Sequence, residues 1–293
     1  MGIMRKPWLI VFLAILAFYT YKVLSTAGSF SVAPSSAQAE PVEAKNVQAV
    51  DLQQSVELSG EKLNLLVKAF ATMSISIVEG TPGENLELIL SGKGQRYLRQ
   101  GSQMEDWLKV SVSGKTIKIA SALQPLKKAF NFWSNSNDLD LKILVPGKEA
   151  LRQVDLNTVS GDILLSGLVL EDLKVRGVSG DCSLKRGSAK SMVVRTVSGD
   201  VESSHFSSEA VNVKSVSGDV RLEAGPSDKP SLQVKTVSGD LRLQLPQGAS
   251  SPAVKFKSFS GELTNPLKNT SGVHGALEFS SVSGDANIFR REL

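Results

Sequence analysis

Val178–Asp200 reads VSGDCSLKRGSAKSMVVRTVSGD, and the quartet that opens this stretch returns to close it. The same pattern, a hydrophobe followed by Ser-Gly-acid, starts at Val159, Val178, Val197, Val216, Val237, Phe259 and Val282. The spacings are 19, 19, 19, 21, 22 and 23 residues, nearly constant and stretching only towards the end. A period of this length marks a solenoid, in which each repeat is one supersecondary unit that buries its apolar face by stacking on its neighbours.

More than the quartet repeats. Three positions before the motif hydrophobe stand Leu156, Val175, Val194, Val213, Val234, Phe256 and Phe279. Five before it stand Val154, Leu173, Met192, Val211, Leu232, Val254 and Leu277, and four after it Ile163, Cys182, Val201, Val220, Leu241, Leu263 and Ala286. Each flank alternates with period two, the pattern of a half-buried strand. The apolar offsets are odd upstream and even downstream, so a corner sits at the motif. Glycine suits it, reaching φ > 0 without a Cβ penalty. Gly161, Gly180, Gly199, Gly218, Gly239, Gly261 and Gly284 are therefore expected in turn conformations.

One rung is thus strand, glycine corner, strand and a variable return, punctuated by residues such as Gly187, Gly225, Pro226, Pro246 and Pro266. The repeat is too short for a crossover helix. Parallel, in-register stacking is the simplest closure, giving a β-helix or β-roll roughly 30 Å long at about 4.8 Å per rung. The one cysteine, Cys182, falls in the apolar downstream column and reads as a small buried hydrophobe. It excludes an intrachain disulfide and leaves the redox compartment open.

Residues 1–27 read as a targeting segment. Arg5 and Lys6 form a basic start, and Trp8 to Tyr21 is an apolar run stopped by Lys22. Small-x-small sites stand at Ser25-Thr26-Ala27 and Ala37-Gln38-Ala39. A secretory signal peptide is the first reading and an uncleaved membrane anchor the second; both place the body outside the cytoplasm. The chain carries a net charge of +4, yet residues 1–27 hold three cations and no acid, so the remainder is only +1. That balance gives no footing for nucleic acid.

Residues 28–49, rich in Ser, Ala, Pro and Gln, read as a flexible linker. Residues 50–150 read as a degenerate or capping β section, with alternation at Met73–Val78, Leu86–Leu90, Leu108–Val112, Ile117–Ile119 and Leu139–Val145. Its hydrophobe-Ser-Gly triplets at Leu58, Leu90 and Val112 lack the period. A loop over Pro125–Asp138 carries Lys127, Lys128, Phe130, Phe132 and Trp133. Its aromatics are read as packing on the solenoid end, with an exposed membrane or glycan contact as the alternative. Residues 151–293 are the solenoid proper. The fold class expected is all-β: a repetitive parallel β-solenoid with a degenerate β-rich N-terminal section, preceded by a signal or anchor helix.

These SGD rungs, following a β-rich section that closes with Leu144-Val145-Pro146-Gly147 behind an export signal, resemble the bacterial "putative adhesin" domain family over residues 50–293. The resemblance implies an exported or membrane-tethered β-solenoid. It implies no catalytic residues, and a fold alone does not establish a function.

Stacking turns sequence columns into ladders. The motif acid gives Asp162, Asp181, Asp200, Asp219, Asp240, Glu262 and Asp285. Such carboxylates are expected to accept backbone N–H bonds at their own corners; a calcium ladder along Asp162, Asp181, Asp200, Asp219 and Asp240 is the alternative. Two positions before the motif hydrophobe run Arg176, Arg195, Lys214, Lys235 and Lys257, with Asn157 and Ser280 read as the two ends of the column. They are the candidate ligand-binding residues, facing acidic glycan or an anionic envelope surface, against a plain solvated face as the other reading. Ser or Thr fills the offset just before the hydrophobe (Thr158, Thr196, Ser215, Thr236, Ser258, Ser281), expected to bond neighbours in the stack.

Catalysis has little footing: His205 and His274 match no nucleophile motif, no His pair has metal-ligand spacing, and no phosphate loop occurs. No cofactor is expected. The expected function is a non-enzymatic, exported cell-envelope module for adhesion or interaction, touching the membrane through its N-terminal segment if that is uncleaved. A head-to-tail polymerising scaffold, through self-association of open ends, is the alternative, and a carbohydrate-active β-helix enzyme a more distant one.

Overall fold

The computed structural model describes residues 47–58, 62–83, 85–95, 103–122, 138–223, 231–245, 253–266 and 275–290. The targeting segment, most of the linker, the Lys127–Trp133 loop and His274 lie outside the described residues. Within them every regular element is a strand apart from one 3-10 turn, Met104–Asp106, and no helix is long and apolar enough to cross a membrane.

The rungs stack as the columns require. Their upstream strands lie within β7 (Leu151–Ser160), β9 (Val169–Arg176), β10 (Cys182–Arg195), β11 (Val201–Lys214) and β13 (Ser231–Lys235). Neighbours are parallel and in register: Leu156 opposite Val175, Val175 opposite Val194, Val194 opposite Val213, Val213 opposite Val234. Downstream strands β8 (Ile163–Ser166), the starts of β10 and β11, β12 (Val220–Glu223) and β14 (Leu241–Leu245) stack likewise, Ile163 on Cys182 on Val201 on Val220 on Leu241. All these column residues are buried. Cys182 is a buried packing residue, as its column demands. Burial, then the nearby Asp181 charge, pushes its thiol up to about 12, so it stays protonated and unreactive.

The glycine corner is real at six of the seven motifs. Gly161, Gly180, Gly199, Gly218, Gly239 and Gly284 have φ between +110° and +151°, and Gly261 does not share this conformation. Close approach adds a second requirement, for a Cβ on Gly199 would overlap the Gly180 carbonyl of the rung beside it. A further corner lies eight residues after the motif hydrophobe, where Gly167, Arg186 and His205 have φ of +79°, +48° and +53°. It turns the coil into a short third side, along which Leu168, Ala189 and Phe206 are buried. Gly187 is needed there because the Phe206 ring and the Leu168 backbone fill the space a side chain would take.

Chain order is not stacking order at the far end. The last rung, β17 (Ala276–Ser280) and β18 (Ala286–Arg290), pairs directly with β13 and β14. The Phe259 rung, β15 (Ala253–Lys257) and β16 (Leu263–Thr264), pairs with the other side of β17 and β18 and forms the free end among the described residues. Composition explains the exchange. Six residues past the motif hydrophobe, where interior rungs place Leu165, Leu184, Leu222, Leu243 and Ile288 and one small Ser203 whose Oγ accepts the Glu223 N–H, the Phe259 rung has the larger Asn265, followed by Pro266. Burying that amide between Leu243 and Ile288 without a full set of partners would cost about 1–3 kcal/mol. The Val282 rung instead buries Leu277, Phe279, Ala286 and Ile288, with Phe279 stacked on Phe256 at 5.7 Å.

The opposite end continues the columns before closing them. β2 (Leu63–Glu79) lies against both halves of the first rung, Leu65 opposite Val154 and Ile75 opposite Ile163. β5 (Thr116–Ser121) and β6 (Asp138–Val145) form the next level, with Ile117 opposite Leu65 and Leu141 opposite Ile75. Beyond them the pairing turns antiparallel. β4 (Leu108–Ser113) joins β5 by a hairpin at Gly114, β3 (Asn85–Gln95) covers β6, and β1 (Val47–Glu57) covers β3. The Val112 triplet is thus a hairpin turn and no rung corner.

Candidate binding surface

At the corner, side chains and backbone share one ladder. Asp162 Oδ1 accepts the Asp181 N–H at 2.9 Å, Asp181 that of Asp200 at 2.8 Å, and Asp200 that of Asp219 at 2.8 Å. Asp219 accepts from Asp240, Asp240 from Asp285, and Asp285 from Glu262. At each of these steps a carboxylate oxygen is the acceptor for the next corner's amide. Sequence expectation had the roles reversed. The acids bond the next rung, whereas Thr158, Thr196 and Ser215 donate to the carbonyl two residues on in their own corners, at 3.2, 2.9 and 3.0 Å; Ser281, by contrast, reaches across as expected, to the Val237 carbonyl at 3.5 Å. Reach accounts for the three: a hydroxyl one bond from Cβ spans its own turn at 2.9–3.2 Å and crosses to a neighbour only at the 3.5 Å of Ser281, and the longer carboxylate crosses readily.

Repulsion along the acid column is offset in two ways. Each Oδ1 is held by an N–H, and Arg221 bridges Asp200 Oδ2 at 2.7 Å and Asp219 Oδ2 at 2.9 Å. The Arg221 hydrogen bond holds the Asp200 carboxyl below its usual range, helped by the Asp219 N–H and opposed by partial burial. Calcium takes six to eight oxygens. The linked acids of the column have one oxygen committed to the stack, and among the described residues no group of three or more His, Cys, Asp or Glu is placed to hold a metal.

The basic column is partly contiguous. Arg176, Arg195, Lys214 and Lys235 occupy consecutive rungs at one register position, all exposed. Ser280 stands next to Lys235, and Lys257 lies beyond it, so Ser280 interrupts the column where the sequence had it as an end. Arg176 Nη1 reaches Asp155 at 3.0 Å and Asn157 at 3.2 Å. Lys174, Val193, Asn212 and Gln233 share the same outward face two residues upstream.

Sequence reading missed one feature: the motif hydrophobe points outward. Val159, Val178, Val197 and Val216 are 36–49% exposed and Phe259 88%. Parity was the available signal, since offsets −5 and −3 face in and offset 0 must face out.

Ser204, His205 and Glu223 form the one grouping with catalytic residue types at the described corners. Ser204 Oγ and Glu223 Oε2 both approach His205 Nδ1, at 3.2 and 3.8 Å. A base relay needs its two partners on opposite ring nitrogens, so the grouping is not arranged as one.

In-register parallel coils with outward-facing ladders define a β-solenoid-like repeat protein. The chain belongs to the Toastrack family, DUF4097, whose model matches residues 35–288. Among solved structures it is similar to a "putative adhesin" from Bacteroides fragilis, with 14% identity over 84% of this chain and 98% of that one and a TM-score of 0.45. A "putative cell adhesion protein" from Clostridium sporogenes matches with 12% identity over 83% and 100%, TM-score 0.34. A "putative lipid binding protein" from Parabacteroides distasonis matches with 14% identity over 84% and 98%, TM-score 0.42. Comparison with curated proteins finds no match.

Proposed function

We propose that this chain is a non-enzymatic, exported interaction module of the cell envelope, whose basic column docks an anionic envelope surface. Residues 151–293 are the repeating body, residues 50–150 its cap, and residues 1–27 the export signal or anchor. One observation carries the binding assignment: Arg176, Arg195, Lys214 and Lys235 stand exposed on four consecutive rungs of a body whose net charge is only +1. At about 4.8 Å per rung the row sets four cations over roughly 14 Å, suited to many weak contacts in place of one pocket.

Reversing Arg195, Lys214 and Lys235 to Glu tests the assignment. The wild-type chain is expected to bind an acidic polysaccharide or anionic vesicles at low salt, where screening is weakest, and the triple variant to lose that binding while keeping its melting temperature. Wild-type protein that binds neither probe at low salt would reduce the column to a solvated face. A head-to-tail scaffold has less behind it. The free end is blunted by Lys255 and Lys257 on a five-residue strand and by Pro266 after a two-residue one, the devices that discourage edge pairing.

A further inference from the structure

The valine row beside the basic column has no part in the core. Offset −1 is buried at Thr158, Ser215, Thr236 and Ser281, so offsets −2 and 0 project from the same outer side, cation and valine two residues apart on each rung. The backbone stays bonded through this row, with the Ser198 N–H on the Val178 carbonyl and the Ser217 N–H on that of Val197. The row therefore runs unbroken from Val159 through Val282 to Phe259, about 29 Å at strand spacing. Single exposed apolar residues need no explanation; a continuous row does.

Charge is sorted around it. In the Val178, Val197, Val216 and Val237 rungs, offsets −4, −2 and 0 hold Lys174, Arg176, Arg195, Lys214 and Lys235 and no acid. The nearest acids at offset −4 lie on the flanking rungs and are paired, Asp155 with Arg176 and Glu278 with Lys255 at 3.3 Å. The ladder acids stand past the glycine corner, on the next side of the coil.

We propose that this strip seats the protein on an anionic lipid leaflet, the cations taking headgroup phosphates and the valines with Phe259 entering the boundary beneath them. The proposal rests on the basic column being a binding surface and names its partner. A polysaccharide would satisfy the cations but offers the apolar row only the C–H faces of single sugar rings, whereas a leaflet offers a continuous apolar boundary beneath its anionic headgroups. The apolar run Trp8–Tyr21 in the same chain is consistent with a bilayer nearby.

The test uses the full chain with vesicles and reads one position at a time, because residues 1–27 would hold the chain to any bilayer. Cys182 is buried and stays protonated, so a thiol dye marks only an introduced cysteine. Val197→Cys reports the strip, and Glu202→Cys, exposed on the next side, is the control. With equal parts phosphatidylglycerol and phosphatidylcholine, the dye at 197 is expected to move to an apolar environment and the dye at 202 to stay aqueous. Pure phosphatidylcholine should give no shift at either. Reversal of Arg195, Lys214 and Lys235 should remove the shift, and Val159, Val178 and Val216 to Ser should weaken it about tenfold. An aqueous dye at 197 on anionic vesicles, or equal shifts at 197 and 202, overturns the lipid assignment. If alginate still binds the wild type and not the reversed variant, the column reading survives that loss; if neither probe binds, both fall.

Discussion

Set the Val197 rung beside the Phe259 rung, and the same motif is seen with and without neighbours on both sides. In the first, Val194 is 1% exposed, Gly199 sits at φ +116°, and Asp200 Oδ1 carries the amide of the next rung. In the second, Phe256 is half-buried, Gly261 has left the positive-φ region, and the acid is Glu262, which accepts from no further rung among the described residues. Each departure from VSGD falls where stacking stops. The motif is thus a record of what each coil must present to the next, more than of what a coil needs for itself.

Paired substitutions can break that comparison, and the largest gap should come from the core. Val194→Asp buries a charge with no partner and should cost about 3–5 kcal/mol, while Phe256→Asp, at the open end, should cost clearly less. Urea melts of both variants measure the difference; equal losses would mean that the Phe259 rung is covered in solution.

Corners come next. Gly199→Ala must adopt a positive φ and push the Gly180 carbonyl away with rungs on both sides, for about 2–4 kcal/mol. Gly261→Ala meets the Gly284 carbonyl and the rotatable Ser258 hydroxyl, but in an end rung free to shift outward, and its thermal melt should move by less than half as much.

The acid ladder should give the smallest effects. Asp200→Ala leaves the Asp219 N–H without its acceptor and should cost about 1–3 kcal/mol, against at most about 0.5 kcal/mol for Glu262→Ala. The Asp200 carboxyl is held below its unfolded range, so its contribution is present above that range and is lost as pH falls through the depressed value. Arg221→Met should flatten that part of the acid limb. The slope will be shallow because Asp200 is 41% exposed. Calcium at neutral pH should leave the melting temperature unchanged.

Rungs, inward columns and six of the corners were legible because period and parity are properties of the sequence itself. Which coil lies beside which is not such a property. Offsets align the Phe259 and Val282 rungs equally well, and only Asn265 in a largely aliphatic column and the Phe-Ser-Gly-Glu variant marked the outer one. Ladder chemistry was legible as to residues but not direction, because the reach of Asp against that of Thr matters only once the rung spacing is known. The antiparallel strands β1, β3 and β4 alternate like any others, and alternation is blind to strand direction.

Insertion of the Val282 rung changes how the molecule would bear load. A coil stacked last in chain order would peel from its edge one hydrogen bond at a time. A pull applied beyond Arg290 instead reaches β18, which is bonded to β14 on one side and β16 on the other. Its removal must shear two interfaces together and open a slot through the core, so resistance to pulling should be greatest at the point where a simple solenoid is weakest.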